Sequence, residues 1–348
     1  MNHLINISLI FLITLSNLNA QITNVIGGLN DPGHITVNGT ELYISEYAGN
    51  RISKIDLNET NPIATDVVTG LTSPSGLAFN GTILYIAETN ANKISQIDLS
   101  ATTPTLSDVV TGIALPRGLA LYGTELYIAE YEGNKISKID INAANPMATD
   151  VVTGLNGPTE ILLNGTDLFI ALRNDNKVSK IDLSATLPTA TDVLTGLDLP
   201  MGLALNGNYL YVAEIGPDKI SKIDITTTSP IASEVLTDIH SVGIAINGSE
   251  LYIAENLENK ISKLDLNSLS TEYFSLENNI TPYPNPTSRF IQISGLAQRE
   301  NYKIYNALGA EVISGLIFNN DKIDFQNLTN GLYFLKFENG NTIKIVKE

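Results

Sequence analysis

The sequence repeats with a period of 42 residues, and this period restricts the chain to a small number of folds. In every copy a turn glycine precedes a leucine that opens a short apolar segment, LYIAE or a close variant. The leucines are Leu42, Leu84, Leu126, Leu168, Leu210 and Leu251, and the glycines are Gly39, Gly81, Gly123, Gly165, Gly207 and Gly248. Repeats of this length built from short strands are typical of propeller blades. The six copies predict an all-β fold with a six-bladed β-propeller.

Each repeat is predicted to contain four strands. In the second copy they cover residues 76–79, 84–88, 93–99 and 108–111, and an Asn-Gly pair that tolerates positive φ joins the first two. The second strand is apolar at successive positions, as expected for a strand that packs on both faces. We therefore expect its aromatic residue, Tyr85 in this copy, to pack between blades.

The ring is predicted to close through the N-terminal strand. Residues 23–29 read TNVIGGL and match TDVVTGL at residues 65–71, again 42 positions apart. A strand at 23–26 would complete the sixth blade, formed by residues 243–266, and would remove the open edges of a linear array. Residues 271–276 are the competing segment for the same edge.

The N-terminus and the overall charge indicate a secreted protein that does not bind nucleic acid. Residues 1–20 contain an apolar run and end in Asn-Ala, which predicts a secretory signal peptide. The apolar run is too short to cross a bilayer, so no transmembrane segment is expected in the mature chain. The chain has no cysteine, so packing and strand pairing must stabilise it. The net charge of −17 argues against a polyanion partner such as DNA or RNA.

The repeats resemble a known family, and a second domain is predicted after them. The segments PSGLAF, LYIAE and NKISQID of the second repeat resemble the NHL-type repeat of secreted and scaffold propellers, which implies a propeller over residues 21–276. A linker is predicted at residues 277–282. Residues 283–348 alternate apolar and polar residues, which predicts a small Ig-like β-sandwich.

The tail resembles the type A sorting domain of type IX secretion cargo in Bacteroidota. The resemblance rests on PYPNP at 282–286, IYNALGAEV at 304–312 and the closing segment NLTNGLYFLKFENGNTIKIVKE. It implies that the type IX machinery is a partner and that the protein passes through the periplasm to the cell surface or the medium. The resemblance leaves open whether the tail is cleaved. The alternative interpretation is a generic Ig-like adhesion domain.

A carboxylate ends the second strand of five repeats and suggests two roles. These residues are Glu46, Glu88, Glu130, Glu214 and Glu255, with Leu172 in the fourth repeat. A ring of carboxylates could hold Ca²⁺. However, each glutamate opens a tight turn with a nearby cation, where it can accept N–H bonds locally. We favour this structural role and assign no cofactor.

Positions at which the repeats disagree are the candidates for ligand binding. A Pro-x-Gly turn, with Ser241 in place of the proline in the sixth repeat, enters each innermost strand, and its middle residue is Gly33, Ser75, Arg117, Thr159, Met201 or Val242. The glycine itself is replaced by His34 in the first repeat and Glu160 in the fourth, three repeats apart and so on opposite sides of the channel. We predict that the ligand-binding residues at the channel mouth are His34, Arg117, Glu160, Arg173 and Met201. Drift at a tolerant turn is the alternative.

No complete catalytic motif is present, neither a nucleophile elbow nor HExxH, a P-loop or a dinucleotide fingerprint. The sequence therefore favours a recognition or scaffold propeller that binds an unidentified protein, glycan or small molecule. The alternative is a hydrolase or lyase resembling gluconolactonase-like propellers and streptogramin lyases. In that case His34 and Glu160, together with His240, would carry the chemistry, and Glu160 would be the candidate metal ligand.

Overall fold

The computed structural model describes residues 22–268, 281–294, 296, 299–337 and 342–348. The chain divides into two compact units between Leu266 and Asn267. The predicted signal peptide, residues 1–20, and the segment 271–276 lie outside the described residues. Within those described, no helix has the length and apolar character needed to cross a bilayer.

In the described residues of the first unit, six antiparallel sheets of four strands form the blades. The strands are numbered along the chain. The innermost strands are β2 (Pro32–Asn38), β6 (Pro74–Asn80), β10 (Pro116–Tyr122), β14 (Pro158–Asn164), β18 (Pro200–Asn206) and β22 (Gly243–Asn247). The second strands are β3 (Glu41–Glu46), β7 (Ile83–Glu88), β11 (Glu125–Glu130), β15 (Asp167–Leu172), β19 (Tyr209–Glu214) and β23 (Glu250–Glu255).

The outer half of each blade follows the same pattern. The third strands are β4 (Arg51–Asp56), β8 (Lys93–Asp98), β12 (Lys135–Asp140), β16 (Lys177–Asp182), β20 (Lys219–Asp224) and β24 (Lys260–Asp265). The outermost strands are β1 (Thr23–Gly27), β5 (Thr65–Thr69), β9 (Ser107–Thr111), β13 (Thr149–Thr153), β17 (Thr191–Thr195) and β21 (Ala232–Leu236). A 3-10 helix covers Thr89–Ala91, and residues 266–268 are helical. The prediction of a six-bladed propeller is confirmed.

The hairpin register places the variable turns at one end of the ring. The first residue of β10, Pro116, pairs with the last residue of β11, Glu130. The start of each innermost strand and the end of its partner therefore lie on the same side. At the other end, the glycine of the Asn-Gly pair carries the positive φ, which is 61° at Gly81, because a residue without Cβ adopts it without strain.

The ring closes through the N-terminal strand, as predicted. β1 pairs antiparallel with β24, with Thr23 opposite Lys263 and Gly27 opposite Lys260. The sixth blade therefore has the strand order β1-β24-β23-β22. Leu29, just after β1, is buried among residues of the first and sixth blades.

The core lies between the blades, and the aromatic residues of the second strands belong to it. Tyr127 packs with Leu168 and Ile170 of the next blade. The rings of Tyr43, in the first blade, and Phe79, in the second, pack edge to face with their centroids 4.9 Å apart. This confirms the prediction that these aromatics pack between blades, where both faces of a strand are covered.

An asparagine clamp joins most blades to the next, a feature that the sequence analysis missed. The clamp residue precedes the third strand, has φ between 51° and 54°, and accepts a backbone N–H of the following blade at 2.8–3.0 Å. The pairs are Asn50 with Ser73, Asn92 with Leu115, Asn134 with Gly157, Asn176 with Leu199, and Asn259 with Asp31. At the fifth blade Asp218 occupies the position and contacts His240 Nδ1 at 2.5 Å.

In the described residues of the second unit, two antiparallel sheets surround one core. Their orders are β25-β26-β29 and β28-β27-β30-β31. The strands are β25 (Thr281–Tyr283), β26 (Phe290–Ser294), β27 (Glu300–Asn306), β28 (Glu311–Ile317), β29 (Lys322–Asp324), β30 (Gly331–Phe337) and β31 (Thr342–Lys347). The core includes Ile304, Phe325, Leu335 and Phe337. The predicted β-sandwich is confirmed, and β25 and β29 are additional.

The PYPNP segment is fastened to the last strand. Asn285 Oδ1 accepts the backbone N–H of Val346 at 2.9 Å, and its Nδ2 donates to the carbonyl of Lys344 at 2.8 Å. Lys347 Nζ donates to the carbonyl of Ser288 at 2.6 Å. The first and last motifs of the tail therefore form one structural element.

Candidate functional site

The ring of glutamates has a structural role. Four of its members each accept a backbone N–H from the loop that enters the innermost strand at 2.8–3.0 Å, and all five lie within 4 Å of a Lys or Arg. Glu88, for example, accepts from Thr72 N and from Ser95 Oγ and contacts Lys93 Nζ at 3.2 Å. Leu172 fills the same position with a buried apolar side chain. These local bonds confirm the structural interpretation.

Acidic and histidine side chains do not gather into a metal-binding cluster in the described part of the chain. No group of three or more His, Cys, Asp or Glu residues there could hold a metal ion. Glu160, the candidate metal ligand, instead contacts a histidine and a backbone N–H.

The structure brings His34 and Glu160 into direct contact across the channel. His34 Nδ1 lies 2.7 Å from Glu160 Oε2, although the two residues are 126 positions apart. The side chains are 16% and 11% exposed, so the pair is largely shielded from solvent. The two residues come from the first and fourth blades, which are opposite in a ring of six. The channel is therefore bridged at this level.

Both members of the pair are held in place within their own blades. Ser45 Oγ accepts the backbone N–H of His34 at 2.9 Å and donates to its carbonyl at 3.0 Å. Glu160 Oε1 accepts the N–H of Ile161 at 3.1 Å. When Nδ1 donates to the carboxylate, Nε2 of the neutral imidazole is left as an acceptor. The pair can therefore accept a proton or a hydrogen bond.

Three of the four equivalent glycines in the other blades have no room for a side chain. A Cβ atom at Gly76 would lie 2.0 Å from the carbonyl oxygen of Arg117, and one at Gly243 would lie 2.2 Å from that of Gly33. At Gly118 it would lie 2.7 Å from the amide nitrogen of Ile161. The turn is therefore not tolerant in these blades, which weakens the explanation of His34 and Glu160 as drift.

A cavity of about 240 Å³ lies at the end of the ring where the Pro-x-Gly turns emerge. Four of the predicted residues line it, namely His34, Arg117, Glu160 and Met201. The lining also includes Tyr47 and Asn256, which follow the second strands of the first and sixth blades. The sequence analysis did not select these two, although they occupy the same repeat position as Arg173.

Arg173 does not line this cavity but contacts a residue beside it. Its Nη1 donates to the hydroxyl of Tyr131 at 3.1 Å. The guanidinium carbon of Arg117 lies 5.2 Å from the centroid of the same ring. His240, the third histidine, pairs with Asp218 and is also absent from the lining. The structure thus joins Arg173 to the site only through Tyr131.

Comparison with known proteins identifies the tail. Residues 281–348 match the family model of the secretion system C-terminal sorting domain. The protein therefore carries a type IX sorting domain, interacts with the type IX machinery and is exported to the cell surface or the extracellular space. No curated protein matches the chain significantly in sequence.

Solved structures with the same fold include enzymes and a binding protein. A streptogramin B lyase is 18% identical with a TM-score of 0.52, over 71% of this chain and 86% of that chain. An auxiliary nutrient binding protein from Bacteroides thetaiotaomicron is 12% identical with a TM-score of 0.59, over 70% and 75%. A candidate gluconolactonase is 11% identical with a TM-score of 0.58, over 71% and 92%. At these identities the likeness shows the fold alone.

Proposed function

We propose that the protein is an exported recognition propeller that binds a small polar ligand in the cavity at its channel mouth. One observation supports this most directly: the cavity is lined where the repeats differ, and the side chains of His34 and Glu160 contact each other there across the channel. Concave sites with a few convergent polar groups are the usual form of small-molecule sites. The binding-protein neighbour from Bacteroides thetaiotaomicron has the same fold.

The test is a thermal-shift and calorimetric screen of the mature protein against sugars, amino acids and organic acids. The key variant is the double substitution His34→Gly and Glu160→Gly, which restores the repeat consensus and should leave the fold intact. The matched control is His240→Gly, which also breaks a His–carboxylate pair but lies outside the cavity lining.

We expect a ligand found in this screen to lose its binding to the double variant and to keep it with the control. Binding that survives the double variant, or that maps to the Asn-Gly end of the ring, would show that the cavity is not the binding site.

A second candidate function, a hydrolase or lyase, is supported by the geometry of the His34–Glu160 pair. The carboxylate at 2.7 Å orients the ring, so that Nε2 can act as a general base toward a molecule in the cavity. Two structural neighbours are named for lyase and lactonase activity.

This candidate predicts turnover of a streptogramin B or of gluconolactone by the wild-type protein. His34→Gln should abolish this turnover, because it removes the imidazole that would act as the general base. Absence of turnover of both compounds would remove the candidate and leave the binding proposal in place.

A further inference from the structure

The guanidinium of Arg117 lines the cavity without an acceptor. Within the described residues, it makes no hydrogen bond and no ion pair, and its Nε is buried without a partner. The two Nη atoms make no hydrogen bond either, and they are not among the fully buried unpaired atoms, so an external group can reach them. Buried polar groups normally find a partner, because an unsatisfied one costs about 1–3 kcal/mol. Arg117 therefore has unused capacity to bind an acceptor.

This arginine differs from most cations of the propeller. Most other Lys and Arg side chains there pair with a carboxylate within 4 Å, as Arg51 does with Glu46 at 2.8 Å and Lys93 with Asp108 at 2.6 Å, while Arg173 and Lys222 contact tyrosines. Arg117 lacks such a pair even though the protein carries a net charge of −17. Because carboxylates are abundant in this chain, a cation without one indicates a site that an external anion can occupy.

The surroundings of Arg117 add positive charge. Arg117 stacks near the ring of Tyr131, and Arg173 donates to the hydroxyl of the same tyrosine. Burial lowers the pKa of Arg117, and the nearby charge of Arg173 lowers this pKa further. Tyr47 and Tyr131 act in the opposite direction and raise it. An anion beside Arg117 would offset both the loss of hydration of the buried guanidinium and its repulsion by Arg173.

The carboxylates of the cavity do not fulfil this role. Glu160 is engaged by His34 and by the N–H of Ile161. Asp31 also lines the cavity but lies beyond 4 Å of the guanidinium nitrogens, since the two form no ion pair. The side of the cavity formed by the third blade therefore remains cationic.

A second buried atom without a partner lies in the same lining. Asn256 Oδ1 is buried and accepts no hydrogen bond from the described residues. Asn256 belongs to the sixth blade and Arg117 to the third, so the two residues approach the cavity from opposite sides of the ring. This oxygen is buried, so a molecule in the cavity can reach it only after the side chain of Asn256 rotates.

We propose that the ligand of this cavity is a small molecule with one oxyanion group, which binds the guanidinium of Arg117. This inference rests on the proposed binding function of the cavity. A guanidinium binds carboxylate and phosphate oxygens in the same forked geometry, so either group satisfies the site. The volume of about 240 Å³ limits the ligand to roughly one sugar-sized unit.

The experiment compares three probes that share one frame, glucuronate, glucose 6-phosphate and glucose, by calorimetric titration of the mature protein. Arg117→Ser is the main variant, because Ser75 occupies the same position in the second blade and shows that the turn accepts serine. Lys222→Ser is the matched control, because Lys222 also lacks a carboxylate partner and lies against the ring of Tyr209, outside the cavity lining.

We expect at least one charged probe to bind about 10-fold or more tightly than glucose, since hydrogen bonds to charged groups contribute about 1.5–3 kcal/mol. Arg117→Ser should abolish this preference at an unchanged melting temperature, and Lys222→Ser should keep it. Preference for the carboxylate or for the phosphate probe would identify the anion.

Equal binding of all three probes, or a charge preference that survives in Arg117→Ser, would refute the role of Arg117. If glucose binds and the double glycine variant loses it, the cavity functions as proposed while the oxyanion inference fails. If none of the three probes binds, the oxyanion inference is also refuted, and the wider screen decides the function of the cavity separately.

Discussion

Asn259 forms the clamp at the joint where the ring closes, and substitutions there can separate its two contributions. Its Oδ1 accepts the N–H of Asp31 at 2.8 Å, and its backbone has φ of 53°. The hydrogen bond contributes about 1 kcal/mol, and placing an ordinary residue such as alanine at positive φ costs about 1–2 kcal/mol. We therefore expect Asn259→Ala to lower the free energy of unfolding by about 2–3 kcal/mol and Asn259→Gly by about 1 kcal/mol.

Calorimetry is the suitable assay, because the chain has no tryptophan for fluorescence. For a domain of this size about 1 kcal/mol corresponds to about 2–4 °C in melting temperature. Asn259→Ala should therefore lower the melting temperature of the propeller by about 4–12 °C, and Asn259→Gly by about 2–4 °C. Asn259→Asp keeps an acceptor oxygen, and Asp218 has a similar φ of 52° at this position in the fifth blade, so this variant should leave the melting temperature nearly unchanged.

The same substitutions at Asn134 test whether every clamp contributes alike, because its Oδ1 accepts the N–H of Gly157 at 3.0 Å in a similar geometry. An alanine variant of Asn259 as stable as the glycine variant would contradict the backbone argument. A glycine variant as stable as the wild type would contradict the contribution of the hydrogen bond.

Three further predictions concern the ring, its core and the tail. A chain that starts at Leu29 lacks β1, and its propeller should melt at a lower temperature because β24 is left with an unpaired edge; an unchanged melting temperature would refute closure by β1. Burial raises the pKa of the inter-blade tyrosines, namely Tyr43, Tyr85, Tyr127, Tyr211 and Tyr252. A tyrosine whose pKa is higher in the folded than in the unfolded state stabilises the fold below about pH 10, and this contribution is lost as the pH rises. The free energy of unfolding should therefore fall above about pH 10. Tyr85→Phe should make this fall shallower when denaturation is measured over a series of pH values. Removal of residues 281–348 should stop export and leave a folded propeller, and secretion of the shortened chain at the full-length level would contradict this.

The sequence predicted the ring well because its signals are local and repeated. The 42-residue period, the turn glycines and the match between residues 23–29 and 65–71 each concern a few neighbouring residues, and six copies reinforce them. The strands β25 and β29 were missed because three residues are too few to show alternation. The asparagine clamps were visible as a repeated Asn before the third strand, but their partners lie in the next blade.

The candidate site was predicted only in part, because it depends on distances across the ring. The sequence placed His34 and Glu160 on opposite sides of the channel, but the contact of 2.7 Å depends on the channel radius, which no local pattern gives. Arg173 was expected at the rim, yet its side chain turns to Tyr131. Asn256 became a candidate only once its buried oxygen was seen without a partner.

The pairing of β1 with β24 also determines the order in which the molecule can fold. The two strands are separated by about 240 residues, and closing a flexible loop of that length costs about 5 kcal/mol in chain entropy. Blades formed earlier hold the ends near each other, so this pairing should come last. A chain that stops before Lys260 lacks β24, the partner strand of β1, and keeps open edges where other chains can add. Closure of the ring is thus a step that only a completed propeller can reach.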